Sequence, residues 1–288
     1  MKWLTCVCVT ICGVAQGAEN PFLGYWALTI PGGGAACAEL QITTVNAFTL
    51  TGGILTLSGG LTDSAAPGGA VTRTIACQVT LGAASTWDIQ SANTTIDLTG
   101  VLAASVNTYS LTKSGSGILI LGNSGNTWGG STTNGVGLIL NAGTVQIAAI
   151  GCLGNSNNDV TFGGGTLQVT GNCTAAAGNG FDVAGSSGTI SVDDGITLTL
   201  GQSGNLRGAA GGLCILNGAG TVDLGGDNST TFVSAVLRAD AGIVQLRTSS
   251  NVIGGTSNRG TLRLNGGLAR IYADSAFTFS CNLNGIDL

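Results

Sequence analysis

The sequence predicts an all-β fold: a right-handed, single-stranded parallel β-helix (β-solenoid) with about 22 residues per coil. Three observations carry this. The first is a recurring phrase: glycine, a polar or β-branched residue, an aliphatic, a polar residue, an aliphatic. It stands at Gly143-Thr144-Val145-Gln146-Ile147, Gly165-Thr166-Leu167-Gln168-Val169 and Gly188-Thr189-Ile190-Ser191-Val192. It returns at Gly220-Thr221-Val222-Asp223-Leu224, Gly242-Ile243-Val244-Gln245-Leu246 and Gly260-Thr261-Leu262-Arg263-Leu264. Gly53-Ile54-Leu55-Thr56-Leu57 and Gly117-Ile118-Leu119-Ile120-Leu121 fit too, and looser copies start at Cys77 and Thr94. Period-two alternation of apolar and polar residues marks a strand with one buried face. The second observation is the spacing. Most copies follow one another at intervals scattered around one coil length, and the longest gap, from Gly188 to Gly220, reads as a loop insertion. The third is composition: 50 Gly against 3 Pro in 288 residues, with only 8% charged.

A period near this length also suits leucine-rich repeats, but their consensus is absent, and propeller blades run about twice as long. An antiparallel meander gives no reason for one phrase to recur at every second or third turn. A parallel solenoid does, because each coil stacks its apolar residues on the next, with right-handed crossovers. Uncharged Thr, Ser, Asn and Gln then form the outer ladders. Glycine makes the sharp bends, since it reaches positive φ without a Cβ clash. About twelve coils at about 4.8 Å each would make a rod about 55–60 Å long.

Taken in order, the chain opens on an export signal. Lys2 is a short basic region, residues 3–14 are apolar, and Ala15-Gln16-Gly17 places small residues where a signal peptidase reads them. Cleavage before Ala18 or Glu19 fits. The competing reading is a buried N-terminal strand. Residues 1–18 are thus assigned to a signal peptide and 19–288 to one β-helix domain. Cys37, Cys77, Cys152, Cys173, Cys214 and Cys281 would remain after cleavage. Six cysteines in an exported chain have 15 pairings, as a general count. Cys152 and Cys173 are separated by one coil length and form the candidate disulfide. Their alternative role is that of small buried hydrophobes.

The chemistry that the residues allow is narrow. A net charge of −5 with scattered Lys and Arg excludes a phosphate-binding stripe, so no nucleic-acid partner is expected. There is no His and no CxxC pair, so neither a zinc site nor any other cofactor is implied. Asp193-Asp194 is an adjacent acidic pair, but Gly195 follows and the pair reads as a turn. Arg238, Arg247, Arg259, Arg263 and Arg270 fall near Asp223, Asp227 and Asp240, and read as solvated outer-face residues. Trp87, Trp128, Phe162, Phe181 and Phe232 are not periodic with one another, and read as corner packing in preference to a sugar platform. Asn93, Asn172 and Asn228 each head an N-x-T sequon. No catalytic residue is assigned, and the chain is read as a non-enzyme. A polysaccharide lyase or hydrolase on the same scaffold is the alternative. A cleft holding three converging carboxylates, or two with an arginine, would favour that enzyme; an uninterrupted polar ladder with short loops would favour a structural rod; an exposed apolar stripe would favour a fibre-type oligomer.

Several segments carry a family likeness. Leu111-Thr112-Lys113-Ser114-Gly115-Ser116-Gly117-Ile118-Leu119-Ile120-Leu121 is followed by Asn126-Thr127-Trp128-Gly129-Gly130-Ser131-Thr132. Then come Asn141-Ala142-Gly143-Thr144-Val145-Gln146-Ile147 and Gly151-Cys152-Leu153-Gly154. This order resembles the autotransporter-associated β-strand repeat. A looser copy runs from Leu216-Asn217-Gly218 to Val244-Gln245-Leu246, and Leu81 to Trp87 is similar to the strand that precedes such repeats. The resemblance implies a passenger-like β-helix at the bacterial cell surface or outer membrane, or secreted, with an adhesive role toward a surface ligand or glycan. The family's translocator barrel has no counterpart in this sequence, so a C-terminally truncated passenger is expected.

Overall fold

The computed structural model describes residues 5–6, 9–11, 26–30, 35–130, 135–183, 185–228, 230–247 and 260–272. Short strands wind in sequence through three sides of a parallel solenoid, repeating about every 24 residues. One side is an 11-stranded sheet, here sheet C, running from Trp26–Ile30 to Thr261–Leu264. The second is the 9-stranded sheet B, from Val9–Ile11 to Leu206–Arg207. Two 5-stranded sheets share the third side: sheet A, from Thr5–Cys6 to Leu102–Ala104, and sheet D, from Cys173–Thr174 to Leu268–Tyr272. Ten steps of about 4.8 Å make sheet C about 48 Å long.

Register explains why the strands stack. Ile96, Leu119, Val145, Leu167, Ile190, Leu216 and Ala239 occupy one inward column of sheet C, and all are buried. Their neighbours two residues on, Leu98, Leu121, Ile147, Val169 and Val192, form a second column. Each such aliphatic side chain contributes about 1.5–3 kcal/mol by leaving water. A slip of one residue would turn the whole set outward, so the pattern itself fixes register.

The repeated phrase proves to mark strands on more than one side. The copies at Gly117, Gly143, Gly165, Gly188 and Gly260 lead into sheet C, those at Gly220 and Gly242 into sheet D, and those at Gly53 and Cys77 into sheet A. The long gap between Gly188 and Gly220 is therefore no insertion. It is one coil plus the step from sheet C to sheet D. Within sheet C, equivalent positions from Ile96 to Ala239 recur about every 24 residues, not every 22. Mixing the sides had shortened the apparent repeat and raised the expected number of coils.

On the third side, between sheets A and D, Asn126 stands in for strand pairing. Its Oδ1 accepts from the Leu102 amide at 2.7 Å, and its Nδ2 donates to the Cys152 carbonyl at 2.8 Å. Cys152 lies in a short 3-10 helix, Ile150–Leu153. At the other end, Thr5–Cys6 pairs with Ala36–Cys37 and Val9–Ile11 with Leu40–Ile42. The segment read as a signal thus also has strand character. The cleavage site at residues 15–19 lies outside the described residues, as do Arg259 and Cys281.

The core is not uniformly apolar. Arg73 and Asp63 are both 0% exposed, and Arg73 Nη1 reaches Asp63 at 2.6 Å and the Thr94 hydroxyl at 3.2 Å. Nη2 of Arg73 donates to the Thr44 carbonyl. Lys113 is also fully buried and donates to the carbonyls of Ser114 and Gly115.

Candidate functional site

The residues that the sequence singled out are mostly committed to structure. Asp193-Asp194 forms a turn: the Ile196 amide donates to the Asp193 carbonyl, Gly195 has φ 72°, and Asp193 Oδ1 accepts from Gln168 Nε2. Arg238 grips Asp240 with Nε and Nη2, both at 2.7 Å, and Arg247 Nε reaches Asp223 at 2.7 Å. Trp87, Trp128, Phe162, Phe181 and Phe232 are all buried, and therefore offer no exposed stacking platform. Asn93 and Asn172 are exposed, whereas Asn228 is fully buried.

Cys152 and Cys173 are free, buried thiols on the same side of the rod, one coil apart. Burial pushes the Cys173 thiol up to about 11, and the neighbouring Cys152 adds to the rise. Burial lifts Cys214 to about 12 and also raises Cys77. A thiol so raised is a poor nucleophile at neutral pH.

Two outer-face features stand out: the first was not singled out from the sequence, and the second is an outer ladder of the kind the sequence predicts. One is a charged cluster on sheet B. Thr161, Asp182 and Arg207 occupy one column on three successive coils, and Asp159 lies two residues before Thr161 on the same face. Arg207 Nη1 meets Asp159 Oδ2 at 2.5 Å, and their side chains are 14% and 7% exposed. The guanidinium lies across Gly180, where any Cβ would overlap it. Arg207 Nε donates to the Gly204 carbonyl, and the Gly180 amide donates to Asp159 Oδ1. Burial is the largest influence on the Asp159 carboxyl and raises it; Arg207 and the Gly180 amide oppose that, and Asp182 adds to it. Two carboxylates and an arginine do converge here, but both Asp159 oxygens and the arginine are tied into the coil stack. The signal available in the sequence was the spacing: Asp159 to Asp182 and Asp182 to Arg207 are each close to one coil length.

The other feature is a ladder on sheet C. Ile118, Thr144, Thr166, Thr189 and Ile215 form one outward column, and Ile120, Gln146, Gln168, Ser191 and Asn217 form the next. These ten residues span five coils without a charge. The flanking positions are charged: Asp97 on one side, and Arg238 with Asp240 on the other. The hydroxyls of Thr144, Thr166 and Thr189 and the side-chain amide of Gln146 make no hydrogen bond among the described residues. The large hydrophobic residues exposed among the described residues, Val45, Ile54, Val106, Leu264 and Leu268, are scattered and form no stripe along the rod.

Comparison with protein-family models, with curated proteins and with solved structures gives no match.

Proposed function

We propose that this chain is an exported, passenger-like solenoid with a structural or adhesive role at a bacterial surface or outside the cell. The observation that carries the reading is the unbroken, uncharged ladder on sheet C. A long face whose two central columns hold partly exposed, unspent hydroxyls and no charged residue suits display more than chemistry. The signal-like N-terminus and the repeat likeness support the same reading. If the signal is removed, the strands Ala35–Cys37 and Leu40–Ile42 become the outer edges of sheets A and B. The candidate Cys152–Cys173 disulfide belongs here too, because only an oxidising compartment would close it. The test is to produce the chain in a secreting bacterial host and sequence the exported product. A mature N-terminus near Ala18 or Glu19 is expected, and an intact Met1 on exported protein would overturn it. Non-reducing peptide mapping of the same material reads the disulfide.

The second reading, a polysaccharide lyase or hydrolase, is favoured by Asp159, Asp182 and Arg207. It requires cleavage of a polyuronate that Asp182→Asn abolishes while the fold is kept. Asp182 is the informative position, because changing Asp159 would also strip Arg207 and the Gly180 amide of their partner.

A further inference from the structure

We propose that the uncharged ladder of sheet C binds an extended, neutral polysaccharide lying along the solenoid axis; this rests on the adhesive reading and names its partner. Recognition needs complementary chemistry, and the face narrows it by charge first. Over five coils, from Ile118 to Ile215, neither column contains a charged residue, while both flanks do; a carboxylate bonded to a column member, Asp193 on Gln168, adds negative charge and no cation. An anionic glycan would gain no ion pair there, and phosphate-rich polymers bind through cations that this face lacks. The second restriction is hydrogen bonding. Thr144, Thr166 and Thr189 stand on successive coils at about 4.8 Å with hydroxyls free among the described residues, beside the Gln146 amide. Such groups are both donors and acceptors, as sugar hydroxyls are. The third is shape. The side chains stand on a continuous parallel sheet, and Ile118 and Ile215 bracket the threonines with methyl groups that can lie against the C–H face of a sugar ring. A repeating ligand meets a repeating surface, so weak contacts add over several coils.

The charged cluster on sheet B points outward from a different side of the rod, which allows the two surfaces to be separated by experiment. The test measures depletion of the folded full chain from solution by particulate cellulose, chitin and β-1,3-glucan, at low and high salt. Retention by at least one of these is expected, with little salt dependence, and with no comparable binding to polygalacturonate. Thr144→Val, Thr166→Val and Thr189→Val together keep shape and strand preference and delete the hydroxyls. That triple variant should bind at least tenfold more weakly, and Ser at the same three positions should restore part of the loss. Thr174→Val with Thr199→Val, on the outer face of sheet D, should leave retention unchanged. No retention on any of the three neutral glycans overturns the proposal, as does equal retention by the triple Val variant, or retention lost with Asp182→Asn. If the exported chain carries the mature N-terminus and yet binds none of the three glycans, this proposal fails while the surface-rod reading stands.

Discussion

Lys113 shows what one residue can cost a coil stack. It sits in the inward column of sheet B, between Trp87 and Leu140 on the neighbouring coils, with no exposed surface. Burial lowers its pKa from 10.5 to about 8, and Asp88 opposes that only in part. The folded state therefore releases its proton before the unfolded chain does. Between about pH 8 and 10.5 the unfolded state holds more protons, so stability rises with pH through that window; below pH 8 the full penalty is present. A shift of this size corresponds to on the order of 3 kcal/mol. Lys113→Met should accordingly be more stable than the parent at pH 7, and the gap should close by pH 10.5. Urea denaturation of both proteins across this range checks it, and a constant gap would show that Lys113 is not titrating in the fold. The residue itself was legible as part of a repeat, but its burial was not. A lysine between Thr112 and Ser114 reads as outward by polarity, and only the register with Trp87 and Leu140 turns it inward.

At the scale of the element, the corners decide more than the strands. Gly143 has φ 66°, and a Cβ there would overlap the carbonyls of Gly115 and Gly117 on the coil before. Gly195 has φ 72°, but nothing lies within 4 Å of its would-be Cβ. The two glycines share a backbone conformation and differ in space. Gly195→Ala should cost about 1–2 kcal/mol, the conformational term alone. Gly143→Ala should cost at least about twice that, because the coil spacing must also give way. Chemical denaturation of the two variants separates the terms, and equal losses would refute the close approach at Gly143. Strand phase was readable from alternation: Val145 and Ile147 are buried, while Thr144 and Gln146 are only partly covered. Which side of the coil a strand belongs to was not readable, because the same Gly-led phrase follows corners on different sides. The cluster of Asp159, Asp182 and Arg207 stayed hidden for a related reason. These three outward positions share no residue type, so only stacking the chain at one-coil spacing brings them together.

For the whole molecule, parallel stacking makes stability a chain of nearest-neighbour terms, since each coil touches little beyond the coils on either side. The buried Arg73–Asp63 pair offers a way to see this. Arg73 binds groups from three successive coils, at Thr44, Asp63 and Thr94. Removing the cation leaves Asp63 buried with only the Ala65 amide on its Oδ1, at 3.2 Å, among the described residues. Breaking a buried pair from one side costs about 3–5 kcal/mol, whereas replacing both members with apolar residues can be close to neutral. Arg73→Met should therefore destabilise strongly, and Arg73→Met with Asp63→Leu should recover most of the loss. Where the loss is felt is the more telling measurement. In a molecule held by nearest-neighbour coupling, amide exchange in Arg73→Met should rise across the coils from about Thr44 to Leu98. Protection in the strands Thr166–Val169, Ser187–Val192 and Leu213–Asn217 should be unchanged, because none of them packs against the altered coils. The Arg207–Asp159 bridge reinforces that separation by tying three coils of the distal part together across Gly180. A uniform rise in exchange along the chain would mean that the solenoid opens only as a whole, and that coupling between coils is far stronger than their individual packing.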